Sequence, residues 1–494
     1  MSATKTSATV LADLWQQGRL PAPALAHAVL TGTDPVFPSS FAVGTAAQTS
    51  IAAAALAACE LGHWRGQARQ DVAVDMAAAA LECTGWFSIN GKVPALWDQF
   101  SGLYACADGW VRIHTNFAHH RIGVLRLMGL APDTATRAEA EQAMRGWRAA
   151  EFEKAAADAG LVVAALRSFD TWDAHAQGVA VAALPLMTFE RIGDAPPNRL
   201  PPLDARNRPL TDVRVLDLTR ILAGPVCGRA LAAYGADVML VNAPHLPNIE
   251  SIADTSRGKL SAHVDLRTAD GKATLARLAS QSHVFVQGYR PGALASLGFG
   301  PQELARLRPG IVCVSLSAYG HTGPWQARRG FDSLVQTAMG FNQAEAAAAS
   351  VSASASASAS VSASASASAS VSTSDSAAAG AAAPRPLPMQ ILDYATGNLM
   401  AFAASAALHR QAIEGGSWHV RLSLAQTGHW LRGLGRVADA FGVKPPDRKP
   451  HLESSASGFG ALVGLRHSAQ LSATPCGWHR PSVPPGTDAP CWPE

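Results

Sequence analysis

The sequence predicts an α/β fold whose core is a parallel β-sheet covered by helices. Downstream of residue 209, short apolar runs at 213–218, 238–241, 284–286 and 311–316 alternate with stretches of helical periodicity. The first two runs start 25 residues apart, about the length of a strand–helix–strand unit. Each run is apolar at successive positions, as expected for strands buried on both faces of a sheet.

The composition is that of a globular chain. Of 494 residues, 48% are hydrophobic and 16% charged, which excludes a protein that is disordered or coiled-coil throughout. The net charge of +3 gives no reason to expect nucleic acid or an anionic membrane as partner. Seven cysteines without a Cys-x-x-Cys pair favour a reducing compartment over a disulfide scaffold. No signal peptide is recognised, and the most apolar stretch, 41–61, is Ala-rich, so we expect a cytoplasmic protein with no membrane partner.

Two segments divide the chain. Residues 195–209 carry five prolines and mark a boundary between compact regions. Residues 344–383 are almost wholly Ala and Ser, with the unit VSASASASAS at Val351 and again at Val361. Because such a segment has little apolar surface to bury, we expect a disordered loop there, although the alternation also permits a silk-like strand.

A pattern of Ala-rich helix, glycine-containing turn, short strand and helix occurs twice. The helix at 49–61 precedes the run Val72–Met76, and the helix at 399–408 precedes Val420–Leu424, at an offset of roughly 348 residues. The recurrence indicates a partial internal duplication. Chance similarity between two Ala-rich stretches is the alternative.

Six motif groups follow one another between residues 216 and 397. They are LDLTRILAGP from Leu216 with YGADV from Tyr234, RGK from Arg257 with VDL from Val264, TADGK from Thr268, YRPGAL from Tyr289 with LGFG from Leu297, SLSAYGHTGP from Ser315, and LDYATG from Leu392. Together, in this order, the motifs resemble the family III CoA-transferases (the CaiB/BaiF family). That family includes formyl-CoA transferase, carnitine CoA-transferases and α-methylacyl-CoA racemase.

The resemblance implies the family III fold, with a Rossmann-like, parallel-sheet, CoA-binding large domain and a smaller α+β domain. The segment from Leu103 to Val111 resembles the start of the small domain, which normally follows the catalytic half, so the order here is rearranged. The expected parts are a helical part of the large domain from a partial first copy (1–95), the small domain (96–200), the Rossmann-like domain (201–343), the disordered loop (344–383), the catalytic-Asp segment with helices of the large domain (384–450) and a C-terminal segment (451–494).

The resemblance implies that Asp393 is the catalytic nucleophile, in an Asp-x-x-x-Gly segment that ends at Gly397. CoA transfer needs a carboxylate that attacks a thioester and then carries CoA itself, without a metal or a redox cofactor. The expected substrates are therefore coenzyme A, as acyl-CoA, and free carboxylic acids. A helix N-cap is the structural alternative for Asp393, and both roles are compatible. In the internal alignment Gly44 or Thr45 takes the place of Asp393, so we expect one acidic centre per chain.

By resemblance, the residues that contact CoA follow the strands. They are Arg220, Ala223, Val264, Gly288, Tyr289 and Arg290, with Arg328 or Arg329 near the phosphates. Cations and N–H donors at this edge of the sheet suit a pyrophosphate, and Tyr289 is expected to stack on adenine. Asn242 stands where the family usually has Glu. The adjacent His119 and His120 are expected to point in different directions, so no metal site is predicted.

Two other activities remain open at this point. Racemases of the family use a His immediately before an Asp as the base, and here Phe331 precedes Asp332, which disfavours an α-methylacyl-CoA racemase-like isomerase. A catalytically weak CoA-binding relative is the other alternative, because several expected contacts differ. The family's subunits are interlocked rings, so the resemblance also implies a homodimer.

Overall fold

The computed structural model describes residues 4–363 and 383–493. Its N-terminal part contains α1 (Ser7–Gly18), β1 (Ala28–Thr31), α2 (Val43–Trp64), β2 (Val72–Asp75), α3 (Met76–Glu82) and β3 (Phe87–Ile89). Strands β1 and β2 pair in parallel. Helix α2 is buried from Val43 to Gly62, because its small Ala side chains let neighbouring elements approach from all sides.

A smaller α+β part follows. It contains β4 (Gly102–Ala105), β5 (Trp110–Ile113), α4 (Ala118–Leu127), α5 (Arg137–Met144), α6 (Ala149–Asp158), β6 (Val163–Ala165), α7 (Phe169–Ala174) and α8 (Ala176–Ala182). The three strands form an antiparallel sheet in the order β4-β5-β6. Val111, Leu125 and Phe152 belong to a hydrophobic core of its own.

The central sheet comes next in the chain. Its strands and helices are β7 (Thr188–Gly193), β8 (Arg214–Leu218), α9 (Ala223–Ala233), β9 (Asp237–Asn242), α10 (Ile252–Thr255), β10 (Lys259–His263), α11 (Ala269–Ser280), β11 (Val284–Gln287), α12 (Pro301–Leu307), β12 (Val312–Ser317), α13 (Asp332–Met339), α14 (Phe341–Ala363), α15 (Ile391–Glu414) and β13 (Ser417–Ser423). The strand order is β10-β9-β8-β11-β12-β13-β7, and every neighbouring pair is parallel except β13 with β7. This confirms the predicted α/β fold with a parallel sheet.

A buried ion pair fixes the turn between β8 and α9. The Lys259 Nζ lies 2.8 Å from Asp217 Oδ2, and both side chains are 0% exposed. The same ammonium donates to the Pro225 carbonyl at 2.8 Å. The RGK motif therefore includes a lysine that holds the β8–α9 turn in place, because an unpaired charge at this depth is costly.

The C-terminal part returns to the N-terminal one. It contains α16 (Leu424–Gly433), β14 (Leu452–Ser457), β15 (Gly460–Leu465) and β16 (Ala469–Leu471). Strand β15 pairs antiparallel with β3, and β16 pairs antiparallel with β2. No helix among the described residues has the length and apolar character needed to cross a bilayer.

The Ala/Ser segment departs from the expectation of a loop that starts at residue 344. Helix α14 runs from Phe341 through Ala363, because alanine has the highest helix propensity and the helix continues a packed first turn. Glu345 anchors that turn by accepting hydrogen bonds from Ser39 Oγ at 2.5 Å and from the Ser40 N–H at 3.1 Å. The rest of the predicted loop, 364–382, lies outside the described residues.

The repeated pattern forms α2–β2–α3 in one place and α15–β13–α16 in the other. Val43 opens α2 and Ile391 opens α15, and the same offset of 348 residues separates Met76 from Leu424. Helices α2 and α15 pack against each other along their length. The two similar units therefore meet inside one chain.

Candidate active site

A cavity of about 380 Å³ lies at the carboxyl ends of the central strands. The chain leaves β8 and β11, which are neighbours in the sheet, in opposite directions: β9 and β10 lie on one side, β12 and β13 on the other. Such a point in an open α/β sheet leaves a crevice for ligands. Arg220 follows β8 and Tyr289 follows β11, and both side chains line the cavity.

The cavity brings together most of the predicted CoA contacts. Its lining includes Arg220, Gly288, Tyr289, Arg290, Arg328 and Arg329. Four of these six residues are arginines, contributed by three separate segments of the chain. The cavity is therefore strongly basic, as a site for a phosphate-bearing ligand needs to be.

The arginines differ in how free their charges are. Arg328 pairs with Glu153 at 3.3 Å and donates to the Val163 carbonyl at 3.0 Å, but it shares Glu153 with Arg167, so its charge is only partly compensated. Arg329 donates to the Gly160 carbonyl at 2.8 Å, and burial together with the charge of Arg290 lowers its pKa. An anion in the cavity would relieve that repulsion.

Arg220 is partly used by the protein itself. It donates to the Pro247 carbonyl, and its guanidinium lies 5.4 Å from the centre of the Phe117 ring. Its Nε is buried and has no partner among the described residues. Burial lowers the pKa of Arg220, which also favours an anionic ligand beside it.

Gly288 and Tyr289 form the floor beside β11. A Cβ at Gly288 would meet nothing closer than 3.7 Å, so close packing does not demand a glycine there. The Tyr289 N–H donates to Gln287 Oε1 at 3.0 Å, and the Tyr289 side chain packs partly buried against the sheet core. Burial raises the pKa of the Tyr289 hydroxyl, which keeps it neutral.

Asp393 lies in the first turn of α15 as one member of a buried acidic pair. Its N–H donates to Asp332 Oδ2 at 2.9 Å. Burial and the neighbouring Asp332 raise the pKa of Asp393 well above its ordinary value, while the Ala223 backbone opposes the rise. Burial raises the pKa of Asp332 to about 7. Two interacting carboxyls of this kind titrate as a pair.

The acidic pair lies just behind the cavity wall. Asp393 is 8% exposed and is not among the residues that line the cavity. Phe331 does line it, and the next residue is Asp332; Ile221 lines it as well, two residues before Ala223. Two chain segments thus connect the basic cavity directly to the surroundings of Asp393.

The remaining predicted residues lie outside the cavity. Val264 is 4% exposed in the hydrophobic core, where its N–H donates to the Asn242 carbonyl at 3.0 Å. Gly397 lies one turn after Asp393, and a Cβ there would come within 2.5 Å of the Ala223 carbonyl. Gly397 therefore permits the close crossing of α9 over α15 and has no contact with the cavity lining.

Sequence reasoning missed the wall contributed by the smaller part of the chain. Phe117, His119 and His120 line the cavity, and the two imidazole centroids lie 4.1 Å apart. The expectation that the two histidines point in different directions is wrong, because the start of α4 turns both toward the cleft. Burial and the neighbouring His119 lower the pKa of His120 to about 3, and neither of its ring nitrogens has a partner among the described residues.

Two further features bear on the site, and of these the sequence had marked only Asn242, as a departure from the family's usual Glu. The His114 ring stacks on Phe331 with centroids 4.1 Å apart, which makes an aromatic wall in front of Asp332. Asn242, at the end of β9, is 1% exposed, and both polar atoms of its side chain lack a partner within the described ranges. An unsatisfied amide at a strand end beside a ligand cleft is a candidate contact for a polar ligand group.

Comparison with known proteins gives this arrangement a context. The family model for CoA-transferase family III matches residues 210–454. The succinyl-CoA–D-citramalate CoA-transferase of Chloroflexus aurantiacus is 38% identical over 146 residues, 27% of this chain and 36% of that protein. An acyl-CoA transferase of Gibberella moniliformis is 30% identical over 259 residues, 49% of this chain and 45% of that protein. A solved CAIB/BAIF family protein from Brucella suis is 22% identical, with 52% of this chain and 65% of that chain covered and a TM-score of 0.36.

The alignments span 36% and 45% of the length of these two curated relatives. The matched region contains the strands β8 to β13, the four arginines that line the cavity, and the acidic pair. Residues 210–454, just under half of the chain, are therefore similar to CoA-transferase family III.

Proposed function

We propose that the protein is a CoA-transferase that moves CoA between an acyl-CoA thioester and a free carboxylic acid, with Asp393 as the nucleophile. The observation that carries the proposal is the arrangement of a basic cavity at the strand ends and a buried acidic pair directly behind its wall. A cavity with several arginines suits the phosphates of CoA, and a carboxylate beside it suits acyl transfer.

In the proposed reaction, an Asp393 carboxylate oxygen attacks the thioester carbonyl, and the carbon–sulfur bond breaks. This gives an acyl-aspartyl anhydride and a CoA thiolate. The thiolate then attacks the aspartyl carbonyl and releases the first acid, leaving CoA on Asp393 as a thioester. An incoming carboxylate repeats both steps in reverse, so no electrons or protons are gained or lost overall.

The chain's own residues would share the work of binding and stabilisation. Arg220, Arg290 and Arg329 would hold phosphate oxygens, with Gly288 and Tyr289 at the floor. The Ala223 N–H would stabilise the ionised carboxylate of Asp393 before it attacks. Arg328, already paired with Glu153, would shape the wall and Val264 the core beneath it.

The burial of Asp393 favours one second candidate, a CoA-binding protein that transfers poorly. At 8% exposure, Asp393 is nearly closed off from the cavity, and the stacked rings of Phe331 and His114 stand in front of its neighbour Asp332. If that wall stays closed, CoA binds without reacting. The racemase alternative gains no support here, because Phe331 offers no proton acceptor next to Asp332.

We also propose the cytoplasm as the location, as the cysteine usage favours, and a homodimer as the working form, as the resemblance implies. For the acyl group, succinyl-CoA is the first donor to test, because the Chloroflexus relative is named for it. Glutarate, citramalate and short monocarboxylates are suitable acceptors, since transfer requires only a free carboxylate in the acceptor.

The test is covalent trapping combined with exchange. Protein incubated with succinyl-CoA is quenched with hydroxylamine and analysed by peptide mass spectrometry, and CoA exchange with the acid panel is measured in parallel. We expect a modification on Asp393, and loss of exchange by at least a thousandfold in Asp393→Asn. Asp270→Asn, in the first turn of the surface helix α11, is the matched control and should exchange normally. Exchange at the original rate in Asp393→Asn contradicts the proposal, and CoA binding without adduct or exchange supports the binding-protein candidate.

A further inference from the structure

A second cavity, of about 520 Å³, lies in the N-terminal part of the chain. It is bounded by the start of α1, the loop after β1 and the first turns of α2, and it shares no lining residue with the cavity at the strand ends. Its volume is in the range of small-molecule sites.

This second cavity stands where the internal repeat places a counterpart of the acidic pair. Thr45 corresponds to Asp393 at the offset of 348 residues between α2 and α15. Asp34 accepts hydrogen bonds from the N–H groups of Gly44 at 3.1 Å and Thr45 at 2.8 Å, as Asp332 does from that of Asp393. The Thr45 hydroxyl also donates to Asp34 at 2.8 Å. With threonine in place of the nucleophile, a ligand here is held without forming an anhydride.

One wall of the cavity contains a buried hydrogen-bond acceptor, the side-chain oxygen of Gln48, to which no group of the described residues donates. Gln48 is 0% exposed and lines the cavity, and its Nε2 donates to the carbonyls of Thr31 and Val74 at 2.8 Å each. These two acceptors fix which end of the amide is nitrogen. The Oε1 atom is left with no partner among the described residues. A buried acceptor of this kind favours a ligand that brings a hydroxyl or another donor.

Another wall favours negative charge. Lys5, Ser7 and Ala8 line the cavity at the start of α1. The N-cap Thr6 accepts the Thr9 N–H, so the first amides of the helix, at Ser7 and Ala8, remain without an intrahelical partner. The Lys5 ammonium forms a surface ion pair with Asp13, with 3.0 Å between Lys5 Nζ and Asp13 Oδ2. Exposed amides and a helix dipole at this end suit a carboxylate.

Between these walls, apolar side chains line the cavity beside the polar residues Thr33, Asp34 and Thr45. The apolar side chains are those of Leu30, Pro35, Met76 and Val437. A short carbon chain would contact them while its ends reach the polar groups.

We propose that this second cavity binds a short hydroxycarboxylic acid non-covalently, with its carboxylate at the start of α1 and its hydroxyl donating to Gln48 Oε1. The proposal is independent of the CoA-transferase activity, because none of the residues that carry it lines the cavity at the strand ends.

The test is calorimetric titration of the full chain with 2-, 3- and 4-hydroxybutyrate, with butyrate as the matched probe that lacks the hydroxyl. We expect a preference of about fivefold to tenfold for at least one hydroxy acid over butyrate, as one hydrogen bond supplies. Gln48→Met should reduce that preference to about one. Because the readout is a ratio of two affinities in the same variant, a general loss of stability does not imitate the result.

Two further variants locate the site. Ala8→Phe, at an exposed position on the cavity rim, should abolish binding of all four acids by filling the entrance, with the fold checked by circular dichroism. Asp393→Asn should bind them as the unmodified protein does. The proposal is overturned if no hydroxy acid binds at millimolar concentration, if the preference survives in Gln48→Met, or if binding is lost in Asp393→Asn and retained in Ala8→Phe.

Discussion

Asp332 and Asp393 act on each other's protonation, and in the proposed reaction this governs when Asp393 can attack. Both carboxyls are buried, and ionisation of one makes ionisation of the other harder. Only an ionised Asp393 can attack a thioester. The raised pKa values mean that the pair loses its negative charge as the pH falls through neutrality.

We therefore expect the rate of CoA exchange to fall as the pH drops through the pKa of Asp393, which burial and the neighbouring Asp332 raise well above its ordinary value. Asp332→Asn should move this acid limb to lower pH, because removing the neighbouring charge lowers the pKa of Asp393. The measurement is a profile of kcat against pH from 5 to 9 for both proteins. An acid limb at the same pH in Asp332→Asn would show that the two carboxyls are not coupled in the working enzyme.

For single residues, the sequence predicted which side chains belong to the site better than it predicted which of them lie next to each other. Arg220, Tyr289 and Arg329 do line one cavity. The partnership of Asp332 with Asp393 spans 61 positions and follows no local pattern, so only tertiary structure reveals it. Local periodicity on α4 likewise could not show that His119 and His120 share one wall.

Among the elements, the crossing of α9 and α15 is the one that positions the acidic pair. The two helices meet where Gly397 faces the Ala223 carbonyl and the Val226 side chain. A Cβ at Gly397 would lie 2.5 Å from that carbonyl and 2.8 Å from Val226 Cβ. Neither distance can be accommodated without moving a backbone.

Gly397→Ala should destabilise the protein by about 1–3 kcal/mol through overpacking and lower the exchange rate, because it displaces Ala223 from Asp393. Thermal and urea unfolding measure the first effect and kcat the second. Gly433→Ala is the matched control, since Gly433 is an exposed residue of α16 and a Cβ added there would meet nothing within 4 Å. It should be neutral or slightly stabilising. Equal stability of the two variants would argue against a tight crossing.

The elements that the sequence predicted well are those with a strong local signal. The four apolar runs correspond to β8, β9, β11 and β12 with ends shifted by at most one residue. The short antiparallel strands β14 to β16 have no such signal, because each is half exposed and is defined by its pairing partners. Helix α14 lies where a disordered loop was expected, because the helix propensity of alanine outweighs the small apolar surface that the segment can bury.

Across the whole molecule, the N-terminal part completes the surface of α15. Helix α2 covers α15, and Trp15 of α1 approaches Phe402 with ring centroids 6.1 Å apart. Strands β2 and β3 also supply partners for β16 and β15. The apolar face of α15 therefore depends on a segment more than three hundred residues away in the chain.

A chain that starts at residue 96 should aggregate or bind the dye ANS strongly, because the face of α15 that α2 covers becomes exposed. Co-expression of residues 1–95 as a separate fragment should restore a dispersed, non-binding protein. Size-exclusion chromatography and ANS fluorescence measure both. A shortened chain that stays dispersed with an unchanged melting temperature would show that α2 is dispensable for the fold.

The packing of α2 on α15 has a consequence for behaviour in dilute solution. Two similar helices on separate subunits would come apart as the protein is diluted below their dissociation constant. Here a single polypeptide tethers them, so their local concentration is set by the connecting chain, on the order of millimolar for flexible tethers, whatever the amount of protein present. The contact between the two repeats should therefore survive at nanomolar enzyme, where an association between separate chains would already be lost.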